Sequence, residues 1–174
     1  FYDAVNDWSN EFDDRMKPDG RSRGLSTGIR SLDELLGVKR IVRGSLFVIG
    51  ARPKMGKTTL YTQMGVNCAT VENEPALMFS LEMPEGQMVE KITAQKGRIS
   101  PNLFYPDMTK DDYGYRGDWN SDLQKATGVM GALIETNNLL IDDTPGVSLA
   151  HVMAESRRIK RERGKVGMLS LIHI

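Results

Sequence analysis

The sequence predicts an α/β fold with a mostly parallel sheet. Two observations predict it. Short apolar runs alternate along the chain with longer helical stretches, a pattern that implies crossover connections between parallel strands. The first of these runs, residues 45–49, leads directly into a loop bearing Gly56-Lys57-Thr58 and then into a helical stretch, the order strand, loop, helix that a phosphate-binding loop requires.

The elements follow in order. Phe1, Val5, Trp8, Phe12 and Met16 recur at steps of four and three, one stripe of an amphipathic helix, with Asp3, Asp7, Glu11 and Asp13 between them. Pro18-Asp19-Gly20 is a stop signal for that helix. So short a helix must bury its stripe, either on its own domain or on a neighbouring subunit. Residues 24–37 read as a loop and short helix with Ser31 as N-cap before Leu32-Asp33-Glu34. Buried strands are expected at residues 45–49, Ala76–Ser80 and 138–141, and a last apolar strand begins at Val166. Helices are expected at Lys57–Thr70, residues 84–97 with Pro84 near the N-terminus, Trp119–Thr136 and residues 148–163. Residues 98–118, rich in Gly, Pro, Asp and Tyr, read as an irregular excursion.

Composition limits the classes of function. The 174 residues are 40% hydrophobic and 26% charged, ordinary for a globular domain, and no apolar run is long enough to span a bilayer. The single Cys68 excludes an internal disulfide framework and fits a reducing, cytoplasmic setting. Lys+Arg and Asp+Glu both number 23, so net charge argues neither for nor against a nucleic-acid partner. The chain lacks an initiator Met and stops inside an apolar run, and is read as an internal fragment.

The chemistry concentrates in Ala51-Arg52-Pro53-Lys54-Met55-Gly56-Lys57-Thr58, followed by Thr59. Such a loop wraps phosphates with backbone N–H groups, so glycine serves where the chain comes close or takes unusual dihedrals. The helix behind it aims its positive end at the same anions. Lys57 would set an ammonium against the phosphates of ATP, and the Thr58 hydroxyl would ligate Mg²⁺. Ala51 holds the position usually occupied by the first glycine of the motif, because Gly50 lies one residue too early.

Glu82 follows the second strand and, in a parallel sheet, emerges at the edge that carries the loop. There it could orient and deprotonate an attacking water; the alternative is a carboxylate complementing the helix dipole, for which Glu85 is better placed. Asp142 and Asp143 end the third strand, where they either hold a metal through water or form the turn Asp-Asp-Thr-Pro-Gly. Arg157, Arg158, Lys160, Arg161, Arg163 and Lys165 form the densest basic run, either a solvated face or a nucleic-acid contact. Tyr113 and Tyr115 could stack on bases.

From Gly24 to Gly167, the succession Gly24-Leu25-Ser26-Thr27-Gly28, Leu32-Asp33, A-R-P-K-M-G-K-T, F-S-L-E-M-P, I-D-D-T-P and an Arg-rich helix before a strand resembles the DnaB-type hexameric replicative DNA helicases, phage versions included. The resemblance implies a RecA-like P-loop NTPase core, truncated, over residues 24–174, with residues 1–23 as the linker helix and loop that docks on the adjacent protomer. It implies ATP and Mg²⁺ as cofactors, Lys57 and Thr58 as their ligands, and Glu82 as catalytic glutamate. It further implies a homo-hexameric ring, single-stranded DNA in a central channel, primase and helicase loader as partners, and residence in the cytoplasm of a bacterial cell, whether host-encoded or phage-encoded.

The chain departs from the pattern at its last strand. The family's Asp-Tyr-Leu, with its metal-proximal Asp, is replaced by Met168-Leu169-Ser170-Leu171-Ile172-His173-Ile174, without an acidic residue. These final residues are read as translated vector or adapter sequence, and the fragment alone is expected to hydrolyse ATP very slowly or not at all. Two further readings stay open: another RecA-like ATPase of recombination or clock type, and a non-catalytic nucleotide-binding ring subunit.

Overall fold

A computed structural model describes residues 1–16, 24–37 and 39–172, which divide into two compact units, Phe1–Val48 and Ile49–Ile174.

In the first unit, helix α1 (Tyr2–Met16) carries the expected stripe. Phe1, Val5, Trp8, Phe12 and Met16 are all exposed, and the Trp8 and Phe12 rings, one turn apart, stack with centroids 5.4 Å apart. The stop signal Pro18-Asp19-Gly20 lies outside the described residues. Leu25 and Ile41 form an antiparallel bridge, the Leu25 N–H donating to Ile41 O at 2.8 Å. Gly24 is required there by close approach: a Cβ would stand 2.1 Å from Lys39 O. Helix α2 (Arg30–Leu36) starts two residues earlier than its expected cap allows, with Ile29 at the N-cap and Ser31 inside the helix. The order of this region comes from Asp33, whose carboxylate reaches back seven and six residues. It accepts from Ser26 Oγ at 2.6 Å and from both Thr27 N and Thr27 Oγ1 at 2.8 Å.

The expected buried strand at residues 45–49 is not formed. The segment is unpaired, with Leu46 89% and Val48 78% exposed. An apolar run supplies only the propensity; a strand needs ladder partners for its N–H and C=O groups, and none of the sheet pairs among the described residues involves this one. The phosphate loop therefore follows an unpaired segment rather than a sheet strand.

The second unit is the α/β core. Its sheet consists, among the described residues, of β1 (Ala76–Ser80), β2 (Leu139–Asp142) and β3 (Met168–Ile172), all parallel, in the order β2-β1-β3. Helices α3 (Lys57–Thr70), α4 (Glu85–Gly97), α5 (Trp119–Thr136) and α6 (Leu149–Arg163) connect and cover it. Successive side chains of a strand point to opposite faces, and β1 uses both. Met78 packs with Tyr61, Val66, Met88 and Ile92 from α3 and α4. Leu77 and Phe79 pack on the other face with Val152 and Ile159 from α6. Gly65 lets α3 close on the sheet, since a Cβ there would lie 2.6 Å from Met78 Sδ.

The excursion at residues 98–118 is more ordered than its composition suggests. It contains 3₁₀ turns at Pro101–Phe104 and Asp111–Gly114. Ile99, Leu103 and Tyr115 from this segment are buried against Ala94 and Ala126.

Candidate functional site

The phosphate loop is shaped by backbone. Met55 N–H donates to Arg52 O at 3.3 Å, Lys54 has φ 62°, and Gly56 has φ 86° and ψ 17° at the N-cap of α3. A Cβ on Gly56 would meet nothing within 4 Å. Glycine is needed here for the left-handed dihedral, not for space. A glycine cap brings no side-chain acceptor, and α3 has no side-chain cap hydrogen bond. The N–H groups of Lys57, Thr58 and Thr59 are thus left without an intrahelical partner at the positive end of the helix dipole. Arg52, Lys54 and Met55 are exposed around this opening, and Lys57 and Thr58 are half-buried beneath it. The donor set fits a polyphosphate: several converging N–H groups, a lysine and a hydroxyl.

The same residues also suit a nucleotide-bound Mg²⁺. No group of three His, Cys, Asp or Glu occurs among the described residues. Mg²⁺ at a nucleotide site is ordinarily held by one or two protein oxygens, phosphate oxygens and water, and the Thr58 hydroxyl supplies such an oxygen.

The first turns of α3 are tied to α4. Gln95 Nε2 donates to Thr59 O at 3.2 Å and to Gln63 Oε1 at 3.1 Å. The buried Thr62 Oγ1 lies 3.0 Å from Gln95 Oε1 and 2.8 Å from Thr58 O. These contacts hold the rear of the phosphate loop against a neighbouring helix. They were not legible in the sequence, because a glutamine at the far end of another helix carries no motif.

Glu82 lies in the turn joining β1 to α4 and is exposed. It is near enough to Tyr61, on the second turn of α3, for its charge to reach the phenol. Burial pushes the Tyr61 phenol up to about 12, with the Glu82 carboxylate adding to the rise and a hydrogen bond with Ser80 opposing it. Tyr61 Oη donates to Met88 Sδ at 3.1 Å. Met83, next to Glu82, packs on the cluster that holds Tyr61, so the Glu82 turn lies against the helix that begins at the phosphate loop. The turn is closed by Ser80, whose Oγ donates to Met83 O at 2.6 Å and accepts from Met83 N at 3.3 Å. Glu85 occupies the first turn of α4, as expected of a carboxylate complementing the dipole.

The two aspartates at the end of β2, Asp142 in its last position and Asp143 just after it, divide their work. Asp142 forms the turn: its Oδ1 accepts from Thr144 N at 3.0 Å, and its Oδ2 lies 2.7 Å from His151 Nε2. Burial raises its pKa, but the hydrogen bonds from Thr144 and His151 outweigh that and hold the carboxyl below its ordinary value. Asp143 instead crosses to α4, where its Oδ2 accepts from Glu85 N at 2.8 Å.

Three of the six residues of the basic run are engaged with their own surroundings. Arg158 bridges Glu155 at 2.7 Å and Glu162 at 3.0 Å, Lys165 pairs with the buried Glu74 at 2.8 Å, and Arg163 donates to Asn137 O. That favours the solvated face over a nucleic-acid contact. Tyr115 is buried, with Oη 2.7 Å from Asp122 Oδ2, and its ring meets Trp119 edge-on, so it is unavailable for base stacking.

Comparison with known proteins places this geometry. The sequence model of the DnaB-like helicase C terminal domain matches residues 24–174. The chain is 31% identical over 151 residues to a replicative DNA helicase DnaB of Haemophilus influenzae, covering 87% of this chain and 30% of that protein. It is 33% identical over 156 residues to replicative DNA helicase DnaC of Bacillus subtilis, covering 89% and 31%. Against replicative DNA helicase DnaB of Geobacillus stearothermophilus the identity is 33% over 157 residues, covering 90% and 32%. The chain thus spans about a third of the length of these curated relatives. In structure it is similar to a solved ATPase domain, with TM-score 0.76 and 22% identity over 99% of this chain and 56% of that one. A DnaB-like replicative helicase studied with its primase interactions superposes with TM-score 0.72 and 22% identity over 94% of this chain and 37% of that one. These two likenesses establish the fold: an α/β core with a parallel sheet, of the RecA-like kind.

Proposed function

This chain belongs to the DnaB-like helicase C-terminal domain family, and we propose that it is the nucleotide-hydrolysing part of a replicative DNA helicase. In the complete protein it couples ATP hydrolysis to translocation on single-stranded DNA and to duplex unwinding. The observation that carries this reading is the pairing of an uncapped, glycine-opened helix end at Gly56-Lys57-Thr58 with the Glu82 turn, whose Met83 packs on the cluster that holds Tyr61 of the same helix.

The loop Ala51 to Thr58, with Thr59, cradles the phosphates through its N–H groups. Lys57 Nζ neutralises charge on the transferring phosphoryl group. Thr58 Oγ1 would hold Mg²⁺, which would supply positive charge against the phosphates. A carboxylate oxygen of Glu82 orients the attacking water and takes its proton, a contribution of about 10²–10⁴ in rate. Of the two aspartates that the sequence offered to metal, Asp142 is engaged by Thr144 N and His151 and Asp143 by the Glu85 amide, and β3 carries no acidic residue. We accordingly expect residues 1–174 alone to turn over ATP very slowly.

The assembly reading extends this. Residues 1–23 act as a linker whose exposed apolar stripe docks on a neighbouring protomer of a homo-hexamer, and residues 24–174 belong to the motor. Primase is the partner suggested by the solved relative that was studied with it; a loader and single-stranded DNA complete the set. Among the described residues no helix is long and apolar enough to cross a membrane, in keeping with a site of action in the bacterial cytoplasm.

Glu82→Gln in the complete protein tests the core of the reading. ATP binding should persist, while steady-state hydrolysis falls at least about 10²-fold and unwinding is lost. Hydrolysis at the parental level would refute it and favour a non-catalytic ring subunit; strand exchange without unwinding would favour a recombination-type ATPase.

A further inference from the structure

We propose that Asp143 is a positioning residue for Glu82, acting through the first amide of α4; this rests on the role given to Glu82 above. The turn that carries Glu82 runs from Ser80, the last residue of β1, to Glu85, the first of α4. Its near end is closed by Ser80 Oγ on Met83. Its far end has a gap: Pro84 is the N-cap of α4 and makes no side-chain cap hydrogen bond, since proline has no acceptor to offer. The Glu85 N–H needs an acceptor from elsewhere. Asp143, 58 positions later, supplies it at 2.8 Å.

The sheet makes this reach possible. Phe79 and Asp142 are register partners on parallel strands, so Asp143 leaves β2 level with Ser80, at the root of the Glu82 turn. Asp142 is meanwhile fixed by Thr144 N and His151 Nε2, which anchors the base from which Asp143 extends. Leu81, Glu82, Met83 and Pro84 are therefore held from both sides. Asp143 is exposed, so the bond is not a core contact. Its value lies in geometry, where a displacement of about 1 Å in a reacting group can cost about 10²-fold in rate.

The test compares Asp143→Ala with Asp143→Asn in the complete protein, measuring kcat and KM for ATP, each also on a Glu82→Gln background in single turnover. Asparagine keeps a neutral acceptor; alanine keeps none. We expect D143A to lower kcat about 10–100-fold with KM for ATP changed less than about twofold, and D143N to retain most of kcat. On the E82Q background D143A should add nothing further. Parental kcat in D143A, equal losses in D143A and D143N, or a loss that multiplies with that of E82Q would each overturn the proposal. Parental hydrolysis by E82Q alone would instead remove the assignment of Glu82, and is read before the other variants.

Discussion

Leu46-Phe47-Val48 and Leu77-Met78-Phe79 are nearly equivalent in apolar content, yet they meet opposite fates. The first leaves Leu46 89% and Val48 78% exposed, whereas the second is 2%, 0% and 0% exposed across its three residues. The difference lies in what stands beside each. β1 has a parallel neighbour on both edges and helices on both faces. The earlier run is in the unit Phe1–Val48, where hydrogen bonds around Asp33 organise Ser26 and Thr27 but do not reach it. Apolar composition creates the tendency to be buried; neighbours decide whether it is met.

The comparison can be broken at its strong end first. Phe79→Ala should destabilise the second unit by about 3–5 kcal/mol, read by denaturant unfolding, because Phe79 is fully buried between β1 and α6. A cost below about 1 kcal/mol would show that this face is loosely packed.

The polar organisation of the first unit gives the next effect. Asp33→Ala removes the acceptor of Ser26 and of the fully buried Thr27, and should cost about 1–3 kcal/mol. Faster exchange of the Thr27 amide would report it. The pH dependence has a definite sign. Burial raises the Asp33 pKa, but the hydrogen bonds from Ser26 and Thr27 and the charge of Arg40 bring it below the ordinary value. Its stabilising contribution is therefore full above the unfolded value of about 3.9 and is lost as pH falls through the lower folded value. Thr27 protection should fall over that acid range in the parent and be low and flat in the variant.

A smaller effect is expected at the cover of β1. Ser148 caps α6 by accepting from His151 N at 3.2 Å, and Ser148→Ala should cost about 1 kcal/mol. The smallest is Leu46→Ala, within about 0.5 kcal/mol. Measured in the complete protein, a cost of about 2–5 kcal/mol would show that the run gains sheet neighbours there, dissolving the contrast with β1.

Much of the core was legible because its signals are local. The α3, β1 and α5 bounds emerge from periodicity, Gly56 and flanking turns, all features within a few residues of the element they define. Ser148 was readable as the start of α6 for the same reason. Ser31 misled because a serine before Leu-Asp-Glu looks like a cap from any starting register, while the actual boundary was set by the Asp33 bonds back to Ser26 and Thr27. The excursion at 98–118 read as irregular because its order depends on Tyr115, Leu103 and Ala126 meeting across the chain.

The candidate site divides in the same way. Ala51 to Thr59 and Glu82 could be proposed from the sequence alone, since a phosphate loop is a local device of backbone dihedrals and one helix end, and Glu82 directly follows the carboxyl end of a strand. Only the tertiary structure decided that Gln95 braces Thr59, that Asp143 completes the cap of α4, and that residues 45–49 stay unpaired. Each of those depends on partners distant in the chain, and linear spacing carries no record of which distant groups folding brings within hydrogen-bond reach.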